Sequence, residues 1–95
     1  MATGTIQNPL YANTIAKNSD LNTFVFTGVY RSPLTVGDVG TLTNCPTSVP
    51  FVMVVSGGGS ATGCVQMIAT SGAIFTRRGQ SGGFGGWYKF EGTAV

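Results

Sequence analysis

The 95-residue sequence predicts a mostly β domain: a small antiparallel sheet or sandwich-like knob over residues 20–95, preceded by an extended lead-in over residues 1–19. Three observations predict it. Apolar residues cluster in short β-branched and aromatic runs, PFVMVV, CVQMIAT and AIFTRR among them. Glycine occurs 15 times in 95 residues, far above the roughly 7% of an average domain, and charged residues make up only 8% against roughly 25%. The links between the later runs are too short to hold the crossover that parallel strands need, so these strands return antiparallel.

The elements follow in order. Residues 1–19 are polar with scattered apolar positions (Ile6, Leu10, Tyr11, Ile15) that keep no period, which reads as extended chain with at most one helical turn around Thr14 to Ser19. TFVFTGVYR, from Thr23 to Arg31, is two short strands or one bulged strand, ended by Ser32-Pro33. LTVGDVGTLTNCPTSVP is loop with one short extended piece. Pro50 to Ser56 is apolar on both alternating faces and reads as a central strand covered on both sides. GGGSATG leads to Cys64–Thr70, in which Gln66 is the one strongly polar side chain. Ser71-Gly72 signals a tight turn into Ala73–Arg78, and RGQSGGFGG turns the chain again into a last strand, Trp87–Phe90.

Composition excludes several chemistries. The net charge of +2 includes a single adjacent cation pair, Arg77-Arg78, too little for the phosphate-neutralising face of a nucleic-acid binder. The longest apolar run is far short of the roughly 20 residues that span a bilayer, and MATGTIQNP carries no signal-peptide core, so the chain reads as soluble and not exported. With no histidine and only Cys45 and Cys64, no zinc site and no histidine-activated nucleophile can be built, and the thiols are expected reduced. Asp20, Asp38 and Glu91 lie in dissimilar turn and strand-end contexts, Asp20-Leu-Asn22 resembling a turn or cap. SGGGSATG fails the dinucleotide pattern because the third glycine position is Thr62, and the strand after it is too short for a phosphate-binding helix. The expectation is a non-enzymatic protein without metal or cofactor.

One stretch remains for binding, RRGQSGGFGGWYKF. Arg77 and Arg78 are neighbours on a strand and point to opposite faces. Phe84 and Trp87 either pack into the core or lie flat as an apolar platform for a sugar ring; for Trp87 core packing is favoured, given its large buried area. Candidate receptor-contacting residues are Arg77, Arg78, Gln80, Phe84, Trp87 and Tyr88.

The order DLNTF, TGVYR, PFVMVV, CVQMIAT, AIFTRR and GGFGGWYKF, from Asp20 to Glu91, resembles the pyocin-knob type of domain found in tail fibres of bacteriophages and R-type pyocins. Asp20, Leu21, Asn22 and Thr23 match its lead motif, and Phe84-Gly-Gly-Trp87 stands where the family usually has two tryptophans. The resemblance implies a β domain in the distal part of a homotrimeric fibre, on a virion assembled in the bacterial host cytoplasm. Its implied partners are the rest of the fibre and a host surface glycan or outer-membrane receptor; a purely structural, trimer-capping role is the alternative. The glycine-rich loops are this sequence's own.

Overall fold

The computed structural model describes residues 13–95; the part of the expected lead-in over residues 1–12 lies outside them. The described chain forms one antiparallel sheet of six strands: β1 (Phe26–Arg31), β2 (Val52–Gly58), β3 (Val65–Ala69), β4 (Ala73–Gln80), β5 (Gly83–Phe84) and β6 (Tyr88–Glu91). The order is β1-β2-β3-β4, and β5 and β6 both pair with β4 on its far side, β5 along Gly79–Gln80 and β6 along Ala73–Thr76.

Of TFVFTGVYR only Phe26–Arg31 is strand, one bulged strand with the register shifting between Phe26 and Gly28, while Thr23 ends the preceding 3-10 turn. Ser32 then turns the chain. Its hydroxyl accepts from the Phe51 amide at 2.8 Å and donates to the Pro33 carbonyl at 2.9 Å, so the end of β1 is tied to the start of β2. The following loop contains an element absent from the sequence reading, a single helical turn over Val36–Val39. Its cap is Thr35, whose side chain accepts from the Asp38 amide, and its one buried residue is Val39. Asp20 caps the short 3-10 turn Leu21–Thr23 in the same way, accepting from the Asn22 amide, as the Asp-Leu-Asn pattern led one to expect.

Strand alternation divides the sheet into two unlike faces. Phe51 just before β2, Met53 and Val55 of β2, Cys64 just before β3, Ile68 of β3 and Phe75 of β4 point inward. The segments on either side of β1 cover them with Ile15, Leu21 and Val39, and these nine residues form the hydrophobic core. Asn13 and Ile15 reach it by pairing with the end of β1: Arg31 donates to the Asn13 carbonyl and Ile15 donates to the Arg31 carbonyl, both at 2.8 Å.

The other face differs from expectation. Val52 and Val54 are 45% and 39% exposed, because the covering loops all lie on one side of the sheet. The strand registers align two rows across this outer face, Arg31–Val52–Ala69–Ile74–Phe90 and Val29–Val54–Met67–Thr76–Tyr88. Between Arg31 at one corner and Arg78 at another the face carries no charge among the described residues, and Met67, Ile74, Phe90 and Tyr88 are all exposed.

At the end of the sheet opposite Arg31, two glycine-rich loops meet. Gly79 donates to the Cys64 carbonyl at 2.8 Å and accepts from Gly63 at 3.3 Å. A Cβ on Gly79 would overlap the Ala61 carbonyl, so bare backbone at this position lets the 59–63 loop close over β4.

Candidate functional site

The six candidate residues separate into two groups, one on each side of the sheet. Arg77 points inward and is 5% exposed. Its Nε donates to Gln66 Oε1 at 2.7 Å, and its guanidinium carbon lies 4.1 Å from the Phe84 ring centre and 4.5 Å from that of Trp87. Both aromatics are half-buried and pack against the core. Contacts of this kind contribute about 0.5–2 kcal/mol each, more where water is excluded. Nη2 is buried and has no hydrogen-bond partner among the described residues.

Gln66, fully buried, joins this cluster to the start of the domain. Its Nε2 donates to the carbonyls of Leu21 at 2.8 Å and Phe24 at 2.9 Å. Trp87 Nε1 donates to the Asn44 carbonyl at 3.1 Å, and Asn44 Nδ2 donates to Asp20 Oδ1 at 2.7 Å. Asp20, Leu21, Phe24, Gln66, Arg77 and Trp87 are therefore one connected set that clamps the Asp20 turn, two strands and the last loop together. Sequence reasoning missed Asn44 entirely; its φ of 60°, a left-handed conformation that asparagine tolerates, gave no signal in the sequence.

The electrostatics fit this structural role. Burial pulls the Arg77 guanidinium below its ordinary value, an effect partly offset by the nearby Asp20 charge. Hydrogen bonds from Asn44 and then from the Asn22 amide hold the Asp20 carboxyl below its ordinary 3.8. Burial raises both free thiols, Cys45 and Cys64, away from the reactive thiolate form. A carboxyl with a depressed folded-state value stabilises the fold above its unfolded value, and that stability is lost as pH falls through the folded value. Thermal unfolding is thus expected to show a decline below about pH 4 that Asp20→Asn removes, with the variant weaker by roughly 0.5–1 kcal/mol at pH 7 after solvent screening. Parallel acid titrations of the two proteins, if superimposable, would refute this.

The second group lies on the outer side. Arg78, Gln80 and Tyr88, with Gly85 and Gly86, line a cleft of about 270 Å³. The cleft exists because β5 and β6 leave β4 at different points, and Gly85 bridges the gap by donating to the Arg78 carbonyl at 3.1 Å. A side chain built on Gly86 would meet nothing within 4 Å, so the glycines leave one wall as open backbone. Arg78 and Gln80 also border a neighbouring groove with Thr62, Gly63, Gly79 and Ser81. Gly85 and Gly86 were not among the sequence candidates, since a glycine pair in a loop reads equally as turn chemistry.

Among the described residues no group of three or more His, Cys, Asp or Glu side chains is placed to hold a metal, and no helix is long and apolar enough to cross a membrane.

No family model matches the sequence, and no curated protein matches it. Two solved structures share its fold. One is the C-terminal part of the R1 pyocin fibre of P. aeruginosa, with a TM-score of 0.75 and 20% identity over 85% of this chain. The other is an N-truncated R2-type pyocin tail fibre, with a TM-score of 0.76 and 13% identity over 85% of this chain. The chain spans 21% of the first and 32% of the second. It has the fold of a domain within R-type pyocin tail fibres, the architecture that the order of its motifs resembles.

Proposed function

We propose that this chain is a non-enzymatic, distal domain of a tail fibre that attaches a phage-like particle to a receptor, a glycan, on the host surface. The observation that carries the reading is the contrast between the two sides of β4. Arg77, Gln66 and Trp87 are engaged in the internal clamp, whereas the Arg78, Gln80 and Tyr88 side chains converge on one cleft with no hydrogen-bond or ion-pair partner among the described residues. Uncommitted polar groups around a concavity suit recognition.

The domain works as a homotrimer. Its outer face favours this, because contiguous exposed apolar patches mark interaction surfaces, and the uncharged centre of the face, Val52, Val54, Met67, Ala69 and Ile74, suits two further copies of the same chain. Three weak sites on one rigid tip gain avidity of the order of 10²–10⁴. The same face also favours the alternative, a knob that registers the trimer without touching the receptor.

Two measurements test these readings. Purified domain is expected to compete with intact particles for adsorption to host cells; absence of both cell binding and competition would leave only the structural role. Light scattering is expected to give a trimer that Met67→Glu converts to a folded monomer, and a monomeric wild type at high concentration would exclude self-assembly through this face.

A further inference from the structure

We infer that the cleft between β4 and the Gly85-Gly86 bridge binds an anionic pyranose, a sugar ring carrying a carboxylate. This inference rests on the attachment reading and specifies the ligand of that site. Among the described residues Arg78 is the only charged side chain lining the cleft. The three carboxylates of the chain lie elsewhere: Asp20 is held by Asn22 and Asn44, Asp38 belongs to the helical turn, and Glu91 is paired with Lys89 at 3.1 Å. The site therefore presents one uncompensated positive charge, and a neutral ligand would leave it facing no counter-charge.

The remaining lining chooses the shape. Arg78 offers a planar fork that meets a carboxylate with two parallel hydrogen bonds. Tyr88, 70% exposed, offers a flat face for the C–H side of a sugar ring and a hydroxyl at its far end. The Gln80 amide both donates and accepts, which matches vicinal sugar hydroxyls. Gly86, where a side chain would meet nothing within 4 Å, brings open backbone up to the ligand. A volume of about 270 Å³ lies just under the roughly 300–1,000 Å³ of drug-sized pockets and fits a single ring. A lone cation supplies too little counterion release for a nucleic-acid strand.

The position of the ring is set from the other side of the sheet. Arg77, next to Arg78 in sequence, holds Phe84 and Trp87, and these two residues flank Gly85-Gly86. The cleft is thus shaped by a loop anchored at both ends, which reduces the ordering cost of binding.

The test titrates the full chain with methyl β-glucuronide and with methyl β-glucoside, which differ only in carboxylate against hydroxymethyl, reading amide shifts by NMR. The glucuronide is expected to shift Gly85, Gly86 and Tyr88 and to bind in the millimolar range, at least about tenfold more tightly than the glucoside. Added salt should weaken it, and Arg78→Gln, which leaves the clamp intact, should erase the preference. Equal binding of the two glycosides, an unchanged preference in Arg78→Gln, or equal shifts from acetate or an acidic peptide would each overturn the inference. Failure with glucuronide in a domain that still blocks particle adsorption would sink the anionic ligand and keep attachment. Cleft-specific glucuronide binding without any effect on adsorption would uphold the ligand and remove attachment.

Discussion

Gln66→Leu is expected to destabilise the domain by about 3–5 kcal/mol, a large share of its total stability. Leucine matches the volume and is more apolar, so a core argument alone would forecast a gain. The hydrogen bonds decide otherwise. Nε2 serves the Leu21 and Phe24 carbonyls, and Oε1 receives Arg77 Nε. Leucine leaves Arg77 Nε without its acceptor and the Phe24 carbonyl with only the weak Cys64 thiol contact at 3.9 Å, at roughly 1–3 kcal/mol each, while the Leu21 carbonyl keeps the Phe24 amide at 3.2 Å. A domain of this size has about 5–15 kcal/mol in total, and each kcal/mol lost lowers Tm by roughly 4–8 °C. Gln66→Glu keeps an acceptor for Arg77 but loses both donations, so it should fall between wild type and leucine. Urea unfolding of the three proteins checks the order; a loss under about 1.5 kcal/mol for leucine would mean that Arg77 and the Phe24 carbonyl find other partners.

The same residue shows how far the sequence could be read. Gln66 stands at an inward position between Cys64 and Ile68, and a single strongly polar residue within a strand was visible as a departure from pattern. What it bonds to was not, because Leu21 and Phe24 are more than forty positions away and nothing local encodes that pairing. β2, β3, β4 and β6 were legible for the opposite reason. Alternation is a local signal, and the β3–β4 register follows from the two-residue turn at Ser71-Gly72, whereas the short β5 lies inside RGQSGGFGG, which reads as turn alone. The turn over Val36–Val39 was missed because VGDV has poor helix formers, and its stability comes from the Thr35 cap and burial of Val39.

The expectation that Pro50–Ser56 is covered on both sides exposes a different limit. Apolar residues on both alternating faces do not say which face the rest of the chain covers. Among the described residues only the inner face is covered, by the segments on either side of β1. The outer face from Val52 to Phe90 carries no acid or base among the described residues, which suits the copy-to-copy contact proposed above. The candidate site was legible as a stretch and not as a geometry. Strand alternation separated Arg77 from Arg78 correctly, but the grouping of Arg78 with Gln80 and Tyr88 depends on β5 and β6 parting from β4, which no local pattern encodes.

Arg77→Met separates the clamp from the cleft by experiment. Methionine retains the aliphatic stem and removes the planar cation, with the loss of a charge-assisted hydrogen bond worth roughly 1.5–3 kcal/mol and of contacts to two rings worth about 0.5–2 kcal/mol each. Relief of the buried, unpartnered Nη2 returns part of this, so a net loss of about 2–4 kcal/mol is expected. Trp87 is the only tryptophan in the chain, so its fluorescence reports on this place alone. In the folded variant it should shift to the red and be quenched more readily, as the loop from Ser81 to Trp87 loosens. Arg77→Lys keeps the charge without the plane and should recover only part of both signals. Because Arg78 is untouched, any fall in cell attachment by folded Arg77→Met comes from the shape of the cleft and not from its charge. Unchanged stability together with an unshifted Trp87 emission would show that Phe84 and Trp87 hold the loop without the arginine.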